Sequence, residues 1–313
     1  VDHGKFSTLT LMTRSRATWL KLTRFALLCI GLGGCILLAG FGRSAISVVD
    51  GAMRPPRMPV EISPQQAGLN AEKITFTTRD GITLAGWIVP SRNGAAVILG
   101  HGHAANRTQL LTEAQFLSEA GYGVLSFDWR GHGESGGDRI TFGRDEVLDL
   151  RAAVDTLSAR PEIDPARIGV LGFSMGGAVM LLGAAQDTRI RAVIAESAYA
   201  DFGETTRYRV RNAPLLWEVT WSYSTFVIGI DPTSIRPVDS ICAISPRPVF
   251  LIYGSAEDYV HPDSAQELYN AACDPKDLWI IDGAGHGGFI DAEPDEYPRR
   301  VLEFFDQHLK GNG

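Results

Sequence analysis

Residues 168–185 constrain the fold more than any other stretch. Ile168-Gly169-Val170-Leu171 is an apolar run with the length of a buried strand. Gly177 to Ala185 (GAVMLLGAA) has the unbroken apolarity of a buried helix. Between them stands Gly172-Phe173-Ser174-Met175-Gly176. A strand, a sharp turn with serine at its tip and a helix make a nucleophile elbow, G-x-S-x-G. The turn strains the backbone at the serine, so its neighbours have to be small. Gly172 and Gly176 meet that need, and Gly177 lets the helix approach the sheet. The helix N-terminus aims amide dipoles at the same point, which favours developing negative charge. Ser174 is therefore the candidate nucleophile.

The rest of the main domain fits around this unit. Residues 74–78 and 83–89 read as a hairpin turning at Arg79-Asp80-Gly81. Apolar runs at 95–100, 123–127, 191–195, 248–254 and 278–281 read as further strands. Helical patterns at about 107–120, 143–159 and 297–309 fall between and after them. Strand–helix alternation implies an α/β domain with a parallel sheet covered on both faces. Functional loops then belong at the carboxyl ends of the strands. Residues 199–246 are too long for a plain crossover and read as a small helical cap. Its aromatics Trp217, Trp221, Tyr223 and Phe226 are expected to line a substrate pocket; the plainer alternative is that they pack the cap onto the domain.

A serine hydroxyl alone is a weak nucleophile. It needs a base, and the base needs an orienting acid. After a G-x-S-x-G elbow the chain order is serine, acid, histidine, each on a loop after a strand. Of the seven histidines, His286 lies on the Gly-rich loop between the last strand and the last helix, and is the expected base. The loop after 248–254 reads Ser255-Ala256-Glu257-Asp258-Tyr259-Val260-His261-Pro262. Its spacing to Val260 and Pro262 favours Asp258 as the acid, with Glu257 beside it as the alternative and Glu196 as a remoter one. Two backbone N–H groups are needed to hold an oxyanion; Met175 and His103 are expected to supply them. The side chains of His101, His103, Asp128, Arg130 and His132 read as loop-shaping groups.

Phe25 to Gly42 is uncharged and apolar, long enough as a helix to cross the hydrocarbon core of a bilayer. Arg14, Arg16, Lys21 and Arg24 precede it and Arg43 follows. A retained single-pass anchor fits best, with the main domain outside. A cleaved signal segment, and a lipoprotein signal ending at Leu32-Gly33-Gly34-Cys35, are the other readings. A start at Met12 would leave a compact basic segment before the run, so residues 1–11 are expected to carry no structure. The organisation read from sequence is a basic tail over 1–24, the apolar segment 25–42, a Pro-rich linker over 43–71 and the catalytic domain over 72–310. Residues 1–60 carry a net +6 of an overall −7, leaving −13 on the remainder. That acidic balance argues against nucleic acid as a partner. The four cysteines show no metal-ligand spacing; a Cys242–Cys273 disulfide is open.

His101-Gly102-His103 after the third strand, the run Asp128-Trp129-Arg130-Gly131-His132-Gly133-Glu134-Ser135 after the fourth, and the elbow together resemble the α/β-hydrolase superfamily. Within it, the chain is similar to Bem46-like and serine-aminopeptidase-like membrane-anchored hydrolases over residues 72–310. The extra residue between Gly254 and Asp258 departs from the pattern and keeps Glu257 in play. The resemblance implies a mostly parallel eight-stranded sheet, a Ser-His-Asp triad, no metal and no organic cofactor. It implies hydrolysis of a small-molecule carboxylic ester. Amide or peptide hydrolysis, thioester or lysophospholipid hydrolysis, and an idle binding protein on this fold remain as alternatives. A serine nucleophile excludes the branches that attack with aspartate.

Overall fold

The computed structural model describes residues 7–310. By its internal contacts the chain divides after Val49. Helix α1 (Ser7–Met53) extends well beyond both ends of the 25–42 apolar run. Residues 7–11, expected to be unstructured, and 43–53, expected to be linker, are therefore helical; residues 1–6 lie outside the described residues. An 18-residue window of this helix has mean hydropathy 2.2, and Trp19, Phe25, Leu28 and Ile30 are exposed. Length and composition suit a membrane span, and equally a signal segment.

The remainder, from Asp50 onward, is built on one eight-stranded sheet. Its strands are β1 (Glu72–Thr77), β2 (Thr83–Val89), β3 (Ala96–Gly100), β4 (Gly123–Phe127), β5 (Ile168–Phe173), β6 (Ile190–Glu196), β7 (Val249–Gly254) and β8 (Lys276–Ile281). The order across the sheet is β1-β2-β4-β3-β5-β6-β7-β8. β1 and β2 are antiparallel, as are β2 and β4; every later pairing is parallel. The β3, β4 and β7 strands are buried along their whole length, as near-continuous apolar runs require when both faces are covered. Helices α2 (Leu111–Glu119), α3 (Glu146–Ser158) and α4 (Met175–Gln186) supply part of that cover. The cap follows β6 as α5 (Phe202–Arg209), α6 (Pro214–Ser222), a π-helical turn (Tyr223–Ile228) and α7 (Pro237–Ser240). Then come α8 (Ser264–Ala271), α9 (Phe289–Ala292) and α10 (Glu296–Leu309), the last packed against α2 and β6. The α10 face of Tyr297, Val301, Phe305 and Leu309 is buried, the i, i+4, i+8, i+12 stripe of an amphipathic helix. Cys242 and Cys273 are paired as a disulfide with 4.6 Å between their Cα atoms.

Residues 54–71 are not a free linker. Ala67, Leu69 and Ala71 are buried in the same cluster as Trp87, Leu117 and Tyr297. Ser63 and Gln66 exchange backbone-to-side-chain hydrogen bonds, which fixes a turn there. The Arg57 guanidinium donates to the carbonyls of His132, Gly133, Ser135 and Gly137. Prolines made this stretch read as a spacer, whereas they serve as extended backbone lying against the domain.

Candidate active site

The elbow forms as its glycines require. Ser174 sits at φ 54°, ψ −118°, a strained conformation for a residue with a side chain. A Cβ on Gly172 would stand 2.5 Å from the Gly176 carbonyl carbon, and one on Gly176 would stand 2.1 Å from the Gly100 oxygen. Substitution at either would push the turn off the sheet. The Ser174 N–H donates to the Glu196 carbonyl at 2.7 Å, tying the turn to β6.

Ser174 Oγ lies 2.9 Å from His286 Nε2. His286 Nδ1 lies 2.8 Å and 3.0 Å from the two oxygens of Glu257. The carboxylate facing the imidazole therefore belongs to Glu257, and the expectation for Asp258 is corrected: Asp258 is exposed. Its neighbour wins by reach and by the turn. The Glu257 N–H donates to Gly254 O at 3.3 Å, so the chain curls immediately after β7. The longer glutamate side chain then spans the gap one position earlier. Its Oε1 also accepts the N–H groups of Tyr259 and Val260. Burial works against the Glu257 charge, but the His286 hydrogen bond and charge outweigh it and hold the carboxyl below the ordinary glutamate range. The group stays ionised, oriented to accept from Nδ1–H, which leaves Nε2 as acceptor toward Ser174.

The imidazole is held on its faces as well. Tyr259 stacks on it at 4.6 Å between centroids, and Phe173 tilts against it at 5.0 Å. The Arg209 guanidinium lies over the Tyr259 ring at 3.8 Å. Neither ring was picked out from the sequence. Their signal was position alone: Phe173 precedes the elbow serine and Tyr259 follows the acid by two residues.

Met175 opens α4, so its N–H is one of the helix's unpaired first-turn donors. On the β3–α2 loop, the N–H groups on either side of His103 are taken: Gly102 N–H by Gln109 Oε1 at 2.7 Å, Ala104 N–H by His132 Nε2 at 3.1 Å. The loop histidines are structural, as expected. His101 Nδ1–H donates to Gly102 O and its Nε2 accepts from Trp129 N–H. His132 Nδ1–H donates to Arg130 O. His103 Nε2–H donates to Ala52 O at 2.8 Å. Burial lowers all three pKa values, to about 4 for His101 and about 3 for His132, so each is neutral near pH 7. Asp128 accepts from the N–H groups of Arg107 and Glu134 and pairs with the Arg107 guanidinium; Arg130 pairs with Asp149 and Asp80.

A cavity of about 560 Å³ opens at Ser174 and His286, bordered by Phe173, Tyr259, Phe289 and Glu113. None of the four cap aromatics expected there borders it. Trp217 is buried beside a separate cavity of about 410 Å³ with Arg207, Tyr208 and His261. Trp221 Nε1–H donates to Asp231, and its ring meets Phe226 edge-on. Tyr223 is half-buried in the π-turn, and Phe226 is exposed. The aromatics of α6 and its π-turn thus pack the cap itself or face outward, and the loops after β3 and β8 form the pocket wall. A buried polar group at that wall also escaped the sequence reading. Tyr297 Oη lies within hydrogen-bond reach of both Glu196 and Glu113, whose carboxyls are buried. Glu196 is thus engaged by α10 rather than by His286.

A serine after β5, a carboxylate after β7 and a histidine after β8, on a mostly parallel sheet, match the arrangement of α/β hydrolases. Comparison with known proteins agrees. The model of the serine aminopeptidase S33 family matches residues 91–228. The uncharacterized protein YfhR of Escherichia coli K12 is 30% identical over 244 residues, covering 75% of this chain and 80% of that protein. Rv2307c of Mycobacterium tuberculosis is 31% identical over 232 residues, covering 73% and 75%. The solved esterase Pf2001 of Pyrococcus furiosus superposes with a TM-score of 0.70 at 30% identity, covering 82% of this chain and 98% of that one. The chain belongs to the α/β-hydrolase superfamily, on the serine-hydrolase side.

Proposed function

We propose that the protein hydrolyses carboxylic esters of small to medium size through a Ser174–His286–Glu257 triad. The observation that carries this reading is the unbroken line from Ser174 Oγ through His286 to Glu257, with hydrogen-bond distances of 2.9 Å and 2.8 Å. Ser174 Oγ attacks the ester carbonyl carbon while His286 Nε2 takes its proton. Glu257 stabilises the imidazolium without taking the proton. The N–H groups of Met175 and His103 receive the oxyanion. The imidazolium then protonates the leaving alkoxide, and the alcohol departs from an acyl-enzyme on Ser174. A water, deprotonated by His286, attacks that acyl group and releases the acid, restoring the hydroxyl. The cavity at the serine has a volume suited to a medium-sized substrate. Pf2001 being an esterase supports ester over amide; the match to a serine aminopeptidase model supports the converse.

The same reading places the protein at a membrane through the apolar part of α1, with the catalytic domain on the far side from the cytoplasm. The Cys242–Cys273 disulfide supports an oxidising compartment for that domain.

The test is turnover of p-nitrophenyl esters from acetate to palmitate, and of an aminoacyl anilide, by the detergent-solubilised chain. Ester turnover is expected, with an optimum among short and medium acyl chains, and Ser174→Ala is expected to remove at least about 10⁴-fold of it. Anilide cleavage with negligible ester turnover would transfer the protein to the peptidase reading. Turnover that survives Ser174→Ala would overturn the triad.

A further inference from the structure

The outward face of the cap has no role in the Ser174 pocket, yet it is apolar. Helix α6 (Pro214–Ser222) runs directly into the π-turn Tyr223–Ile228, which ends at Gly229 in the left-handed conformation, φ 79°. Leu215 is 60% exposed, Phe226 75% and Val227 70%. Leu215 and Phe226 are eleven residues apart, close to three helical turns, so they fall on nearly the same side. Half-buried Val219 lies between them. The neighbouring segment presents Arg207, Arg209 and Arg211, all exposed, against Glu204 and Glu218 as the exposed acids of the two helices. The exposed side chains of this stretch thus carry a balance of +1, three arginines against two glutamates, within a domain that is acidic overall.

We propose that this face docks on the interfacial region of an anionic lipid bilayer, with Leu215, Phe226 and Val227 inserted among the headgroups and Arg207 and Arg211 against the lipid phosphates. The inference rests on the membrane-anchored reading of α1. Two further observations choose the bilayer over a second copy of the chain. Seven residues, 43–49, all within α1, separate the end of the apolar run from the start of the compact unit at Asp50, about 10 Å along a helix. A domain tethered that closely meets the membrane surface as an intramolecular partner, so a small patch suffices. Three exposed side chains also form a fraction of the roughly 800 Å² that each partner of a stable protein interface contributes. Apolar side chains beside arginines match a headgroup layer, which offers acyl chain and phosphate within a few ångströms of each other.

The experiment uses the full chain with Cys29 and Cys35 replaced by serine, leaving the Cys242–Cys273 pair intact. A fluorophore is attached at Phe226→Cys, or at Arg299→Cys on α10 as a control. Each is reconstituted at one chain per nanodisc of phosphatidylglycerol and phosphatidylcholine containing headgroup-level nitroxide lipid. The Phe226 label is expected to be quenched at least about threefold more than the Arg299 label. Leu215→Asp combined with Val227→Asp is expected to abolish that excess while leaving turnover of a water-soluble short ester unchanged. Equal quenching at the two positions overturns the proposal. So does a Phe226 label that is shielded only when two chains share a disc, which would assign the face to self-association. Because quenching needs no substrate, a failure of docking is distinct from a failure of the ester-hydrolase reading.

Discussion

At the scale of single residues, the acid of the proposed triad decides how the site would work. Glu257 receives Tyr259 N–H, Val260 N–H and His286 Nδ1, while Asp258 next to it is exposed. Glu257→Gln keeps the shape but offers an amide that cannot stabilise the imidazolium, and it favours the wrong histidine tautomer. Its kcat is expected to fall about 10³–10⁴-fold, whereas Asp258→Asn stays within about twofold. Steady-state ester kinetics on the two variants check this, and the reverse ranking would restore Asp258. Ser174 and His286, which the structure brings within hydrogen-bond distance of each other, stood out in the sequence because each sits in a Gly-rich turn at a fixed place in the order of strands. The acid was legible to within one residue. What chose between Glu257 and Asp258 was side-chain reach after the tight turn closed by Gly254 O, which one-dimensional spacing does not carry.

At the scale of elements, the strands were legible to within two residues at each end, because buried parallel strands are uninterrupted apolar runs bounded by glycine or charge. The pieces that misled were those whose partners are distant in sequence. Residues 54–71 read as a spacer from their prolines, but their carbonyls and arginine engage the loops after β3 and β4. Arg57 donates to four carbonyls between His132 and Gly137, and Asn106 Nδ2 donates to Met58 O and Pro59 O. Those loops carry His132, which fixes Ala104 N–H and with it the peptide next to His103. Arg57→Ala is expected to lower unfolding free energy by about 1–2 kcal/mol, since the guanidinium lies at the surface and water replaces part of what is lost. It is expected to lower kcat several-fold with little change in KM, because the oxyanion donor proposed at His103 N–H loosens and the pocket wall does not. Urea denaturation beside ester kinetics measures both. The cap aromatics misled for a related reason: a cap has to bury its own core, and Trp217 and Trp221 serve there.

At the scale of the whole molecule, two links join parts far apart in the chain. The Cys242–Cys273 disulfide ties the end of the cap region to the segment before β8 across 31 residues. Reducing it is expected to cost about 2–4 kcal/mol of stability, read as a shift in the urea midpoint. The second link joins α2, β6 and α10 through Glu113, Glu196 and Tyr297 at the edge of the Ser174 cavity. Burial raises both carboxyls above the ordinary glutamate value, with Glu113 pushed up to about 7 and Glu196 raised further by its carboxylate neighbour. Tyr297 has a single proton to donate, so the two carboxyls are compatible with burial while they share at least one proton more. The folded state therefore holds protons that the unfolded chain releases near pH 4.5. Where the folded form binds more protons, stability falls as pH rises. The contribution of this pair is fully present below about pH 4.5 and is lost progressively as pH climbs to about 7 and beyond. Glu113→Gln removes one buried ionisation and lets Glu196 titrate lower. The variant is expected to lose stability less steeply than the unaltered protein between pH 5 and 8, and to be the more stable of the two at pH 8. Urea midpoints at half-unit intervals of pH measure the difference directly. Parallel curves for the two proteins would mean that Glu113 and Glu196 share no proton in the folded state.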